Sequence, residues 1–131
     1  MNRRVAVCAI VVAASTALGV APTFAKEGVV ARVLTPISRD ARPGTKVVVA
    51  WTLSFSDGPG KRRPFNAEGV FVRVGGIRSL VDYAGTQRPL GRYRAVIRVP
   101  GSGIRSLKFG LMGWNNYAAP VFFSLAGRAF R

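Results

Sequence analysis

Arg92, Arg94 and Arg98 are the residues of this chain best placed to do chemistry. They occupy alternate positions of Arg92-Tyr93-Arg94-Ala95-Val96-Ile97-Arg98-Val99. In an extended strand such positions share a face, with residues two apart standing roughly 7 Å from each other. Guanidinium groups at that spacing clamp phosphates or carboxylates in bidentate fashion. Arg73 is expected to join the row across the sheet, making Arg73, Arg92, Arg94 and Arg98 the candidate anion-binding set. The plainer reading of the same residues is a solvated face whose arginine stems cover apolar backbone.

A second candidate is the loop Gly113-Trp114-Asn115-Asn116-Tyr117, in which Trp114 and Tyr117 offer amphipathic rings beside two amides. Such groups at an edge suit sugar or protein contacts. Alternatively, Trp114 folds back to plug the end of the core while the two asparagines make the turn. A third basic cluster, Lys61-Arg62-Arg63, sits in a stretch that reads as a solvated loop.

Several chemistries are excluded by the residues present. The chain has no histidine. That removes a Ser–His–Asp arrangement, imidazole metal ligands and a titration near neutral pH. Its one cysteine is Cys8. The five acids, Glu27, Asp40, Asp57, Glu68 and Asp82, are scattered, so neither paired carboxylates across a cleft nor a calcium loop is expected. Glycine-rich stretches such as Gly101-Ser102-Gly103 do not precede helices and are not phosphate cradles. No catalytic, metal or cofactor site is expected, and the chain reads as non-enzymatic.

The N-terminus fixes a compartment. Met1-Asn2-Arg3-Arg4 is basic, residues 5–21 are uncharged and mostly apolar, and Thr23 and Ala25 are small residues before Lys26. That order is the secretory pattern, so residues 1–25 are expected to be a cleaved signal peptide. The alternative is an uncleaved anchor, since 17 residues lie at the short limit for spanning a bilayer. Cleavage leaves residues 26–131 as one small domain with no cysteine. That domain has 18 basic residues against five acids, a net charge of +13. A field of that sign draws anions at long range, although a composition rich in Arg, Ala, Gly and Val throughout accounts for it equally well.

The elements that must position these residues read as short strands divided by Gly and Pro. No window of a dozen residues keeps a helical apolar period. Strands are expected over 28–34, 45–55, 70–74, 92–99, 104–112 and 121–125, with a short irregular one in 77–83. In 45–55 the odd positions Val47, Val49, Trp51, Leu53 and Phe55 share the core face. In 92–99 that face is Tyr93, Ala95, Ile97 and Val99. Val70, Val72, Val74, Val121, Phe123 and Leu125 are expected inward, and Phe71 outward. Residues 56–69 read as a long loop and 127–131 as a loose basic tail. Six or seven strands of this kind predict an all-β, antiparallel sandwich, with a small closed barrel as the alternative.

The stretch Gly91-Arg92-Tyr93-Arg94-Ala95, continued by Val96-Ile97-Arg98-Val99-Pro100, resembles a pattern that opens a late strand in immunoglobulin-like domains. With the strand order it is similar to the exported bacterial YtkA-like and related immunoglobulin-like sandwiches. The resemblance implies a seven-stranded sandwich and a Tyr93 hydroxyl bonded to nearby backbone as a corner. Copper-carrying sandwiches of the CopC-like kind need His, which this chain lacks. Together these readings predict an exported binding or structural module, secreted or periplasmic. Its expected partner is an anionic envelope polymer, a lipid headgroup or an acidic protein. No nucleic acid is expected, and any membrane contact is peripheral if the signal is cleaved. The alternative function is carbohydrate binding through Trp114 and Tyr117.

Overall fold

In the computed structural model, residues 28–75, 77–80, 89–112 and 119–131 are described. They form β1 (Val29–Val33), β2 (Lys46–Ser56), β3 (Arg62–Pro64), β4 (Val70–Val74), β5 (Ile77–Leu80), β6 (Arg92–Arg98), β7 (Leu107–Leu111), β8 (Val121–Phe122) and β9 (Ser124–Leu125). No helix occurs among the described residues. The expected signal segment 1–25 and the loop residues Trp114 and Tyr117 lie outside them.

β2 is the spine of the first sheet. Along one edge it pairs antiparallel with β1, from Val29 opposite Phe55 to Val33 opposite Trp51. Its other edge is shared end to end by β6, which faces Lys46 to Thr52, and β3, which faces Ser54 to Ser56. β9 adds to β1 in parallel. The second sheet runs β5-β4-β7-β8, antiparallel throughout.

Period-two alternation decides what lies between the sheets. β6 alternates strictly between exposed and buried, with Tyr93, Ala95 and Ile97 inside. Val49, Trp51 and Leu53 of β2 are buried, while Val47 and Phe55 near its ends are half-buried. Val70, Val72 and Val74 close the interior from the other sheet. Trp51 joins the two layers. Its ring lies 5.9 Å from Tyr93 at 23° within its own sheet and 4.8 Å from Phe109 of β7 at 44°. No charged side chain is buried among the described residues, so the interior is held by apolar contact.

Tyr93 places its one polar atom without breaking that rule. Its hydroxyl donates to the Phe65 carbonyl at 2.9 Å and accepts from the Ala67 N–H at 3.0 Å. The backbone it grips lies 26 to 28 residues upstream, not nearby as a corner would have it. The two bonds fix the β3–β4 connection against the core. Tyr93→Phe is expected to cost about 1–3 kcal/mol in urea unfolding, because the Ala67 N–H and Phe65 carbonyl lose a partner. A pH signature accompanies it. Burial pushes the hydroxyl above its ordinary value of 10.0, and the Ala67 hydrogen bond opposes this only in part. The folded state therefore holds its proton where the unfolded chain releases it. Tyr93's contribution is complete below about pH 10 and falls as pH rises toward the folded value. The Phe variant should lose less stability than the parent over that alkaline range.

Several expectations need correction. The array is mixed, not wholly antiparallel, because β1–β9 and the Ile37–Phe130 bridge are parallel. The stretch 56–69 contains β3, an exposed edge segment whose Arg-Arg-Pro composition gives no strand signal. The strand expected over 104–112 starts only at Leu107, although Ile104 is buried. Leu125 stays 40% exposed, because β9 is the outermost strand of the first sheet. Phe71, expected outward, is 1% exposed. Its ring lies over Gly110, where a Cβ would come within 2.6 Å of Phe71 Cζ, and meets Phe122 edge-on at 5.7 Å. The tail is held, not loose. Ile37 N–H donates to Ala129 at 2.9 Å, Arg131 N–H donates to Ile37 at 3.1 Å, and Ala129 is buried.

Candidate anion-binding face

The alternation that buries Tyr93 and Ile97 turns Arg92, Arg94 and Arg98 outward, and all three are exposed. Register then sets their neighbours. Arg98 stands opposite Lys46, Val96 opposite Val48, Arg94 opposite Ala50 and Arg92 opposite Thr52. Thr52 in turn faces Arg32 on β1. Adjacent strands lie about 4.8 Å apart, so Arg92 and Arg32 flank Thr52 at roughly 10 Å. Arg62, opposite Ser56, completes the set at the end of the same face. Six cations from four strands thus share the outer face of the first sheet.

No described strand carries an acidic residue; Asp40, Asp57 and Glu68 all lie in connections. Asp57 is paired with Arg63 at the β2–β3 turn, one residue beyond the Ser56–Arg62 pair that ends the face. Arg62 is fastened flat, its Nε donating to Ser54 Oγ at 2.9 Å and its Nη2 to the Ser54 carbonyl at 2.8 Å. Arg98 donates to the Gly44 carbonyl at 3.3 Å. The side chains of Arg92 and Arg94 make no hydrogen bond or ion pair with a described residue, leaving their guanidinium donors to solvent or a ligand. The opposed pair Lys46 and Arg98 is a like-charge contact that destabilises a sheet.

The face presents five guanidinium groups and the Lys46 ammonium, all of them hydrogen-bond donors. What it offers is fixed positive charge and forked donors for phosphate or carboxylate oxygens. Its middle is apolar. Val48 and Val96 are each 47% exposed and directly opposed, and Leu34 beside Ala50 is 39% exposed.

Arg73 does not join this group. It lies on β4 of the second sheet, opposite Lys108 and Arg78. Its guanidinium sits 4.8 Å from the Phe122 ring centre, with Lys108 Nζ at 5.8 Å from the same ring. Its buried Nε has no hydrogen-bond partner. The sequence shows that Arg73 is outward but not to which sheet its strand belongs.

Two sets of residues were missed by sequence reasoning. Lys46, Arg32 and Arg62 belong to the face, and only the register across β2 reveals them. Lys46 alone had a signal, since it shares the outward alternation of β2. Arg39, Arg128 and Arg131 surround a shallow depression of about 390 Å³ on the tail. Arg39 lies 3.9 Å over the Phe130 ring and donates to the Arg105 carbonyl at 3.1 Å. Reading the tail as loose concealed this cluster. Among the described residues no group of three or more His, Cys, Asp or Glu side chains comes together. Compared with known proteins, the chain matches no family model, no curated protein and no solved structure.

Proposed function

We propose that this chain is an exported, non-catalytic binding module that holds an anionic component of the cell envelope against the outer face of its first sheet. The observation that carries the reading is the gathering of Arg32, Lys46, Arg62, Arg92, Arg94 and Arg98 on one face whose strands carry no carboxylate. Like charges packed this closely repel, and nothing within the described fold neutralises them. A polyanion would. Export is supported by the secretory order of residues 1–25. An immunoglobulin-like sandwich is supported by the connectivity: β1-β2-β6 opposes β5-β4-β7-β8, and the last strand returns parallel to the first.

The test is retention of the full chain on an immobilised phosphate polymer and on an uncharged polysaccharide, followed against salt. Retention on the phosphate polymer is expected at low ionic strength. It should fall steeply as the screening length drops from about 30 Å at 0.01 M toward about 8 Å at 0.15 M. Failure to bind the polymer at low salt overturns the reading. Retention on the uncharged polysaccharide that survives high salt would instead favour sugar binding through Trp114 and Tyr117.

A further inference from the structure

We infer that the anion this face takes is the headgroup layer of a lipid bilayer, on which the first sheet lies flat with Val48 and Val96 against the interface. The inference rests on the reading of the face as anion-binding and names its partner.

The centre of the face carries it. Val48 and Val96 are opposed across β2 and β6 and are each 47% exposed. Cations surround them: Lys46 and Arg98 on one side, Arg94 on the other, with Arg92 and Arg32 beyond. A soluble polyanion gains from the cations and nothing from the valines. An acidic bilayer rewards both, because phosphates meet guanidinium forks while apolar side chains enter the boundary between headgroups and acyl chains. Arginine suits this geometry, since its stem can lie along apolar surface while the guanidinium reaches the phosphate. A second copy of the chain is a poor occupant, because it would bring six cations against six. The strands bring no carboxylate toward the phosphates. The apolar area is small, so attachment is peripheral and reversible.

The experiment compares the full chain with Val48→Ser/Val96→Ser. Three probes are used: vesicles with about 30% phosphatidylglycerol in phosphatidylcholine, pure phosphatidylcholine vesicles, and soluble polyphosphate. Binding to the neutral vesicles reports any contribution of the apolar stretch 5–21 and is subtracted. The parent should bind the anionic vesicles and keep a salt-resistant fraction. The double variant should bind them about tenfold more weakly, yet bind polyphosphate as the parent does. Both positions are half-exposed, so the substitutions should leave the far-ultraviolet circular dichroism unchanged. Val96→Trp provides an independent readout: tighter vesicle binding with blue-shifted emission, since indole favours the interface. Equal vesicle affinity of parent and double variant, or no blue shift for bound Val96→Trp, overturns lipid docking. So does binding of polyphosphate without anionic vesicles, which points to a polymeric or protein polyanion and leaves the anion-binding reading standing. Absence of binding to either charged probe at low salt removes both.

Discussion

Trp51→Ala is expected to remove a large share of the domain's stability and to move its urea midpoint far below that of the parent. Trp51 is fully buried and is the largest fully buried side chain among the described residues. It packs on Tyr93 within its sheet and on Phe109 of the opposite one, so its removal opens a cavity at the contact between layers. Truncating a buried tryptophan costs about 3–5 kcal/mol, against a total stability of about 5–15 kcal/mol for a domain. No disulfide limits the loss, since the one cysteine is Cys8. Trp51→Phe should behave differently. The buried Nε1 of Trp51 has no hydrogen-bond partner. Phenylalanine keeps an aromatic ring between the same neighbours and removes that unsatisfied donor, whose burial costs about 1–3 kcal/mol. The relief offsets much of the lost volume, so the net cost should stay near about 1 kcal/mol. Urea unfolding followed by circular dichroism measures both variants. A Trp51→Ala midpoint equal to that of the parent would refute the interior described for β2, β6 and β7.

The contrast between Trp51 and Arg73 shows which features were legible in the sequence. Alternation is a local property, and wherever one strand face meets the core it is written into the chain. The bounds of β4 were expected residue for residue, and Val49, Trp51, Tyr93 and Ile97 lie inside as expected. Sheet membership is not local. Nothing within 70–74 distinguishes a strand beside β6 from one beside β7, because that choice is made by pairing with residues some forty positions away. The arginine row on β6 is therefore readable in the sequence, whereas its partners Arg32 and Arg62 are not, and neither is the sheet that carries Arg73. The tail failed for a related reason. Its bonds to Ile37 depend on backbone groups, which carry no side-chain signature. Phe71 failed because outward does not mean exposed where a glycine lets a neighbouring ring cover the sheet.

Replacing Arg92, Arg94 and Arg98 together by Gln should weaken binding to anionic vesicles about a hundredfold. A cation near an acidic bilayer contributes about 1 kcal/mol, so three amount to about 3 kcal/mol, at about 1.4 kcal/mol per factor of ten. The same triple variant should be as stable as the parent or slightly more so. All three side chains are exposed, and the substitution removes the repulsion between Arg98 and Lys46. That combination separates the two readings of the row. A solvated face of structural arginines predicts little change in binding and some loss of stability through lost stem packing. A binding face predicts the reverse. Arg73→Gln supplies the control, since Arg73 lies on the outward face of the other sheet. Two stacked sheets are about 10 Å thick between their mean planes, more than the screening length of about 8 Å at 0.15 M salt. Removing that charge should therefore change vesicle affinity by less than about threefold at this ionic strength. Equal losses from Arg73→Gln and from one substitution on β6 would mean that the chain binds through its net charge, and the face would lose its role.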